Sequence, residues 1–167
     1  MKVNEKTEIW PGDIPNPKMP YAPAVKAGNW VFVAGQLASD FKTGVAPEAR
    51  VNPGLPFNEH PLTLQSRYIM ENIGKTLEAA GSSYADAMRI FQWFTAPPDW
   101  QQGTSWSGVN ITRYLEERNK YIFDKRPAST GMGIRELLVK DTIIEVNLIA
   151  IIPEEGQTKE AISCPDI

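Results

Sequence analysis

The chain contains 167 residues, of which 42% are hydrophobic and 22% charged, and its formal net charge is −3. That length predicts one domain with a hydrophobic core of its own. An acidic pI of about 5.3, without a basic stripe, argues against nucleic acid as a partner and against RNA cleavage as an activity. The first ten residues hold no apolar segment of signal-peptide length, and no run of about 18 apolar residues follows. We therefore expect a cytoplasmic protein without a membrane span.

Two residue types that often carry chemistry occur once each. Cys164 is the only cysteine, which excludes an internal disulfide and a cysteine-cluster metal site, and its polar surroundings argue against a nucleophile. His60 is the only histidine, which excludes a zinc site built on several histidines and any Ser-His-Asp triad without His60. Catalysis would therefore depend mainly on carboxylates, hydroxyls, amides and backbone groups.

The predicted elements begin with a proline-rich N-terminal arm, residues 1–23. Residues 9–23 contain five prolines, which exclude a helix and predict an extended segment anchored by Trp10 and Tyr21. A β-hairpin follows, with a strand, a tight turn and a second strand at Val25–Ala27, Gly28–Asn29 and Trp30–Gln36. Residues 37–61 then form a loop long enough to be functional or mobile.

A helix is predicted to begin at Pro61, which suits a first helical turn, and to end at Gly81. Its apolar residues recur at helical spacing, at Leu62, Ile69, Ile73, Leu77 and Ala80. Met88–Thr95 is rich in β-branched and aromatic residues and predicts a strand, which Pro97 and Pro98 end.

The second half predicts a loop that carries Trp100 and Trp106, a helix over residues 109–122, and strands near 129–135 and 141–152. The order is strand, strand, helix, strand, helix, strand, strand. It predicts an α/β (α+β) fold in which a mixed sheet carries two helices on one face.

The last strand is apolar on both faces except at Glu145 and Asn147, which point the same way. Both faces are therefore expected to be buried. Burial raises the pKa of a carboxyl group, because the charged form loses solvation, so Glu145 could carry a proton near neutral pH. The alternative is a structural glutamate that is hydrogen-bonded to backbone or paired with an arginine.

Several separated motifs occur in an order that resembles one known family, the RidA or YjgF-like reactive intermediate deaminases. The segments are PYAPAVKAGNWVFVAGQ, QSRYIMENIGKTLEAAG, and RPAST followed by IIEVNLIAI, read as a final hairpin. The resemblance implies a single domain over residues 1–156, a tail at 157–167, and a chorismate-mutase-like fold. It also implies a barrel-like homotrimer with clefts between neighbouring subunits, and hydrolysis of enamines and imines to carbonyl compounds and ammonia without metal or organic cofactor.

Residue by residue, the resemblance places the family's catalytic glutamate at Glu145 and the cleft-lining positions at Tyr21 and Gly35. Ser129 stands where the deaminases have the arginine that binds the substrate carboxylate, and Gly131 stands at a position that is often cysteine. Arg126 is three residues from Ser129 and should point to the opposite face of the strand, and Arg135 lies about 20 Å from Ser129 along the strand. Neither residue therefore replaces that arginine. Arg50 and an arginine from a neighbouring subunit remain open. The full set of substrate-binding candidates is Tyr21, Gly35, Trp93, Asn110, Ser129, Thr130 and Gly131, with His60, Trp100 and Trp106 as further possibilities.

We therefore expect an ammonia-releasing hydrolase or lyase that acts on a small enamine, imine or hydroxylamino metabolite, with Glu145 as general acid/base. Trp93, Trp100 and Trp106 would suit an aromatic-derived substrate, as in aminomuconate deaminases or hydroxylaminobenzoate lyases, unless they fill a trimer core. The alternative function is a trimeric small-ligand-binding protein that performs no chemistry.

Overall fold

The computed structural model describes residues 5–95 and 111–154. One six-stranded mixed sheet has the strand order β1-β2-β3-β6-β4-β5. In chain order the elements are β1 (Lys6–Ile9), β2 (Ala24–Ala27), β3 (Trp30–Leu37), α1 (Pro61–Ala79), β4 (Ala87–Thr95), α2 (Thr112–Arg118), β5 (Ala128–Ile134) and β6 (Ile144–Ile151), with short 3₁₀ turns at Pro47–Ala49 and Tyr84–Asp86. The predicted α+β class, with a mixed sheet and two helices, is confirmed.

The N-terminal hairpin is confirmed, but the arm before it differs from the prediction. β2 and β3 pair antiparallel, with Ala27 opposite Trp30, and Gly28 adopts a left-handed φ of 61° in the turn. The arm contains an additional strand, β1, which pairs with β2. Trp10 and Tyr21 do not anchor the arm in this chain, since 45% and 44% of their surfaces remain exposed.

Helix α1 begins and ends where its sequence predicts. The Nδ1 atom of His60 accepts a hydrogen bond from the backbone N–H of Leu62 at 3.1 Å, which caps the helix, and Pro61 follows in its first turn. Beyond the last turn, Gly81 has a left-handed φ of 79°. The apolar stripe of the helix packs on β3 and β6.

β5 and β6 do not form the predicted final hairpin. β4 lies between them, and it pairs parallel with β5 and antiparallel with β6. The reason is the connection through α2: a helix between two strands crosses over and returns the chain parallel to the first strand. β5 consequently forms one edge of the described sheet.

β6 lies in the middle of the sheet, and its two faces differ. Its helix-side face is fully buried, through Ile144, Val146, Leu148 and Ala150. Its other face, which we call the open face, is only half-buried in this chain, so the expectation that both faces are buried is wrong for a single chain. Both helices pack on the opposite side, and large apolar side chains of neighbouring strands remain exposed on the open face, namely Trp30, Phe32 and Met132.

In residues 5–95 and 111–154, no helix is both long and apolar enough to cross a membrane.

Candidate active site on the open face

The side chain of Glu145 lies on the open face, against the backbone of Gly35. β6 runs between β3 and β4, so Glu145 stands opposite Leu37 on one side and Trp93 on the other. A β-bulge between Val33 and Gln36 displaces β3 beside it. A methyl group at Gly35 would overlap Oε1 of Glu145 and would lie 3.0 Å from its Cδ, so only glycine leaves room for the carboxylate in its present position.

The surroundings of Glu145 favour the protonated form of its carboxyl group. Burial removes solvation from the charged form and raises the pKa above the ordinary carboxyl value. Among the described residues, no donor or cation forms a hydrogen bond or salt bridge with this carboxylate. An arginine-paired structural role is therefore not seen in this part of the chain.

Tyr21 reaches the same region from the N-terminal arm. Burial raises the pKa of its phenol, and the negative charge of Glu145 raises that pKa further. The second effect places the two groups within electrostatic range. Three distant segments thus contribute Tyr21, Gly35 and Glu145 to one region of the molecule.

Strand β4 adds an aromatic surface to the open face. Trp93 stands opposite Glu145, and its ring stacks on Phe91 with 6.1 Å between ring centroids and 17° between planes. The guanidinium of Arg89 lies 4.5 Å from the centroid of the Phe91 ring, and its Nη2 donates to Oγ1 of Thr130 at 3.1 Å. Trp93 and Thr130 therefore share the face of Glu145, although Thr130 is two strands away.

Sequence reasoning overlooked Arg89 and Phe91. Strand alternation could have identified both, because they lie an even number of positions from Trp93 and therefore share its face of the sheet. Asn147, which the sequence predicts on the same face as Glu145, stands opposite Phe91. Its Oδ1 is buried without a hydrogen-bond partner among the described residues, two residues from Glu145.

Ser129 and Gly131 lie on the opposite face of the sheet. Ser129 stands opposite Ile90, whose side chain is fully buried in the core, and its Oγ accepts a hydrogen bond from Nε2 of Gln92 at 3.1 Å. A side chain at Gly131 would contact Phe94 on that same side, at 3.8 Å. Within one chain, these two candidates are separated from Glu145 by the sheet itself.

Two further candidates within the described residues, His60 and Arg50, do not join Glu145 in this chain. His60 caps its own helix through Nδ1. Arg50 is held by its loop, where Nε donates to the carbonyl of Val45 at 2.5 Å. Asn110, Trp100 and Trp106 lie outside the described residues, as does Cys164.

The sequence is similar to known proteins over most of its length. The model of the family described as Endoribonuclease L-PSP matches residues 12–152. A RutC family protein of Pyrococcus horikoshii is 30% identical over 145 residues, which make up 87% of this chain and 97% of the relative. A RutC family protein of Saccharolobus solfataricus is 28% identical over 145 residues, with the same two coverages.

Solved structures share the fold. A protein of Thermotoga maritima superposes with a TM-score of 0.67 at 26% identity, over 91% of this chain and all of that one. RidA from an Antarctic Psychrobacter has a TM-score of 0.65 at 23% identity, over 87% of this chain and 99% of its own, a likeness of fold alone. The motifs, the matched family and the superposed structures agree, and the chain belongs to the Endoribonuclease L-PSP family, the RidA/YjgF group.

Proposed function

We propose that this protein is an ammonia-releasing hydrolase or lyase that acts on a small enamine, imine or hydroxylamino metabolite, with Glu145 as general acid/base. The observation that carries the proposal is the setting of Glu145. Its carboxyl group is seated on Gly35, burial raises its pKa, and no described residue pairs with it. A carboxyl group whose pKa is raised toward neutrality can both accept and donate a proton during turnover.

For an imine substrate, Glu145 transfers two protons from water to nitrogen. It takes the first proton as the water oxygen bonds to the C=N carbon and passes it to the imine nitrogen, which gives a carbinolamine with an amino group. Glu145 then takes the hydroxyl proton as the C=O bond forms and delivers it to the amino group, so the C–N bond breaks and ammonia leaves beside a carbonyl compound.

The surroundings of Glu145 support a flat substrate. Trp93 and Phe91 form a stacked aromatic surface on the open face, and Asn147 stands opposite Phe91. These features suit an aromatic-derived compound, as in aminomuconate deaminase-like or hydroxylaminobenzoate lyase-like reactions.

A typical 2-imino acid is disfavoured as substrate because serine replaces the carboxylate-binding arginine at position 129. A charge-assisted hydrogen bond contributes about 1.5–3 kcal/mol. Its loss would weaken binding of such an acid by about ten- to a hundredfold.

We also propose that the active form is a cytoplasmic homotrimer with its clefts between subunits. The open face supports this, because Trp30, Phe32 and Met132 are each more than two-fifths exposed around a half-buried central strand. Such an apolar face is expected to be covered by another molecule. Between subunits, Ser129 of the edge strand could approach the Glu145 of a neighbour, which the sheet prevents within one chain.

The test is ammonia release by the wild-type protein and the Glu145→Gln variant across imino acids, aminomuconates and hydroxylamino-aromatic compounds. We expect release from one class, reduced at least about a hundredfold in the variant. Glu78→Gln is the matched control, since Glu78 is exposed on α1 and the change should leave turnover intact. Full turnover by Glu145→Gln would refute the proposed mechanism.

The second candidate is a trimeric small-ligand-binding protein without catalysis. The serine at position 129 favours it, because the substrate clamp of the deaminases is missing. Calorimetry and an ammonia assay distinguish the two functions. A binding protein would bind a compound saturably in calorimetry and would release no ammonia from that compound. Turnover that depends on Glu145 would exclude this candidate.

A further inference from the structure

A groove of about 490 Å³ lies on another part of the molecule, where the β3–α1 loop meets the segment before β6. Its lining includes Arg50 from the loop, Gln65 from the first turns of α1, and Lys140 and Asp141 from the chain before β6. Glu145 and Gly35 do not line it. Nothing in the proposed deaminase reaction uses these groups.

Among the described residues, only neutral acceptors orient the guanidinium of Arg50. Its Nε donates to the carbonyl of Val45 at 2.5 Å, and its Nη2 donates to the carbonyl and Oγ1 of Thr43 at 2.9 and 2.6 Å. Its Nη1 has no partner among the described residues. Three hydrogen bonds thus fix the orientation of the guanidinium, while the N–H groups of Nη1 stay available to a ligand.

The carboxylate of Asp40, an acid in the same loop as Arg50, already has hydrogen-bond partners. It accepts hydrogen bonds from the backbone N–H groups of Thr43 and Lys42 and from the hydroxyl of Thr43. These bonds, with the Thr43 N–H contributing most, lower the pKa of Asp40 to about 2. Thr43 stands between Asp40 and Arg50, so within the described residues no carboxylate forms a direct ion pair with this arginine.

The other side of the groove is held in a strained conformation. Asp141 has a left-handed φ of 64°, which is unfavourable for a residue with a side chain. The buried amide of Gln65 maintains it, because Nε2 donates to the carbonyl of Asp141 at 3.0 Å and Oε1 accepts from the N–H of Ile143 at 2.9 Å. Strain of this kind is often found at ligand sites.

The two sides are also packed together. A side chain on Gly44, whose φ is 96°, would contact the carbonyl of Lys140 at 3.8 Å. Lys140 makes no salt bridge or side-chain hydrogen bond to any residue in 5–95 or 111–154. The groove lining therefore includes two cationic residues, Arg50, which hydrogen bonds orient, and Lys140, which has no described partner.

We propose that this groove binds a small molecule carrying an oxyanion, a carboxylate or a phosphate, through the Arg50 guanidinium and the Lys140 ammonium. Guanidinium groups match the geometry of both oxyanions, and a nearby ammonium adds charge. The Asp141 carboxylate in the same lining repels a second anionic group. The ligand is thus expected to carry one oxyanion and a hydrogen-bond donor elsewhere.

The test is a titration of the full-length protein with inorganic phosphate and with glycerol 3-phosphate, followed by calorimetry or backbone amide shifts at constant ionic strength. Lactate is titrated in parallel as the carboxylate probe. We expect saturable binding of at least one probe, with the dissociation constant raised about tenfold or more by Arg50→Gln and about threefold or more by Lys140→Gln. Lys140→Gln is the safer variant, because Arg50 also holds its loop together.

Lys42→Gln is the matched control, since Lys42 is an exposed lysine of the same loop that does not line the groove. It should leave the dissociation constant unchanged. Absence of saturable binding by all three probes would overturn the proposal. So would binding that none of the variants weakens, or that Lys42→Gln weakens as much as Lys140→Gln does.

Discussion

The carboxylate of Glu145 occupies the space into which a side chain on Gly35 would project. The two residues belong to adjacent strands, β3 and β6, and a bulge between Val33 and Gln36 brings the glycine to this position. A glycine in a strand weakens the strand locally, and it is explained here by the close approach of an acidic side chain. Gly35 thus supports the proposed chemistry, because the absence of a side chain leaves room for the Glu145 carboxylate.

Gly35→Ala should therefore displace the carboxylate of Glu145. The added methyl group would overlap Oε1, and either the side chain or the strand must move. We expect ammonia release to fall at least about tenfold, since misplacing a catalytic group by about 1 Å can cost a hundredfold. The measurement is kcat/KM on whichever compound the wild type deaminates.

Gly133→Ala provides the control for Gly35→Ala. Gly133 lies on β5 with open space around its Cβ position, so the same substitution there should leave activity unchanged. If Gly35→Ala were as active as Gly133→Ala, the seating of Glu145 on Gly35 would have no catalytic role.

The raised pKa of Glu145 predicts how stability depends on pH. The folded protein holds the proton of Glu145 to higher pH than the unfolded chain does. Between the ordinary carboxyl pKa of 4.5 and the raised native value, the folded state therefore binds more protons, and the free energy of unfolding falls as pH rises through that window. The glutamine of Glu145→Gln does not titrate, so the stability of the variant relative to wild type should rise across the same window.

Urea unfolding of both proteins from pH 4 to 8, at one protein concentration, measures this difference. We expect it to increase with pH and then become constant above the native pKa. Glu78→Gln, at an exposed position, should show no such rise. A difference that stayed flat, or fell with pH, would contradict a pKa raised by burial.

Arg67 joins the two helices through a buried acid. Its Nη2 lies 3.1 Å from Oε1 of Glu117, whose side chain is almost completely buried, and 2.7 Å from Oε1 of Glu59. Arg67→Met would leave the Glu117 carboxylate with Lys120 as its remaining charged partner among the described residues. We expect the free energy of unfolding to fall by about 1–3 kcal/mol, as for other buried charges that lose a partner.

The comparison for Arg67→Met is Lys75→Met, which removes an exposed pair with Asp13 at 3.3 Å. Its effect should be below about 1 kcal/mol, because water screens exposed ion pairs. Equal losses of unfolding free energy in the two variants, measured by urea unfolding, would show that burial of Glu117 does not determine how much its ion pair stabilises the fold.

The open face predicts an effect on assembly. Phe32 stands opposite Ile149 on that face and is 45% exposed in the single chain. If this face is covered in a homotrimer, Phe32→Glu should place a charge in the interface and shift the protein to monomers. Sedimentation velocity measures the change directly.

Phe57→Glu is the control for assembly, because Phe57 is 90% exposed and lies in the β3–α1 loop. This variant should keep the oligomeric state of the wild type. A trimer that persists in Phe32→Glu would show that the open face is not the interface.

Much of the fold could be predicted from the sequence because its signals are local. Gly28 sits in the turn of the first hairpin, and the Pro61–Ala79 helix begins at a proline and is followed by Gly81, which has a left-handed φ. The alternation of β6 also placed Glu145 and Asn147 on one face. Each of these signals depends on residues within a few positions of one another, where backbone preferences and side-chain periodicity act.

Tertiary structure decided which strands are neighbours, and with that the composition of the site. β4 lies between β5 and β6, so strand parity alone could not show that Ser129 lies on the helix side while Glu145 lies on the open face. The bulge that brings Gly35 to Glu145, and the stacked pair Phe91 and Trp93, likewise depend on pairing between distant segments. Register between such segments is set by long-range packing, and a shift of one residue moves every side chain of a strand to the other face.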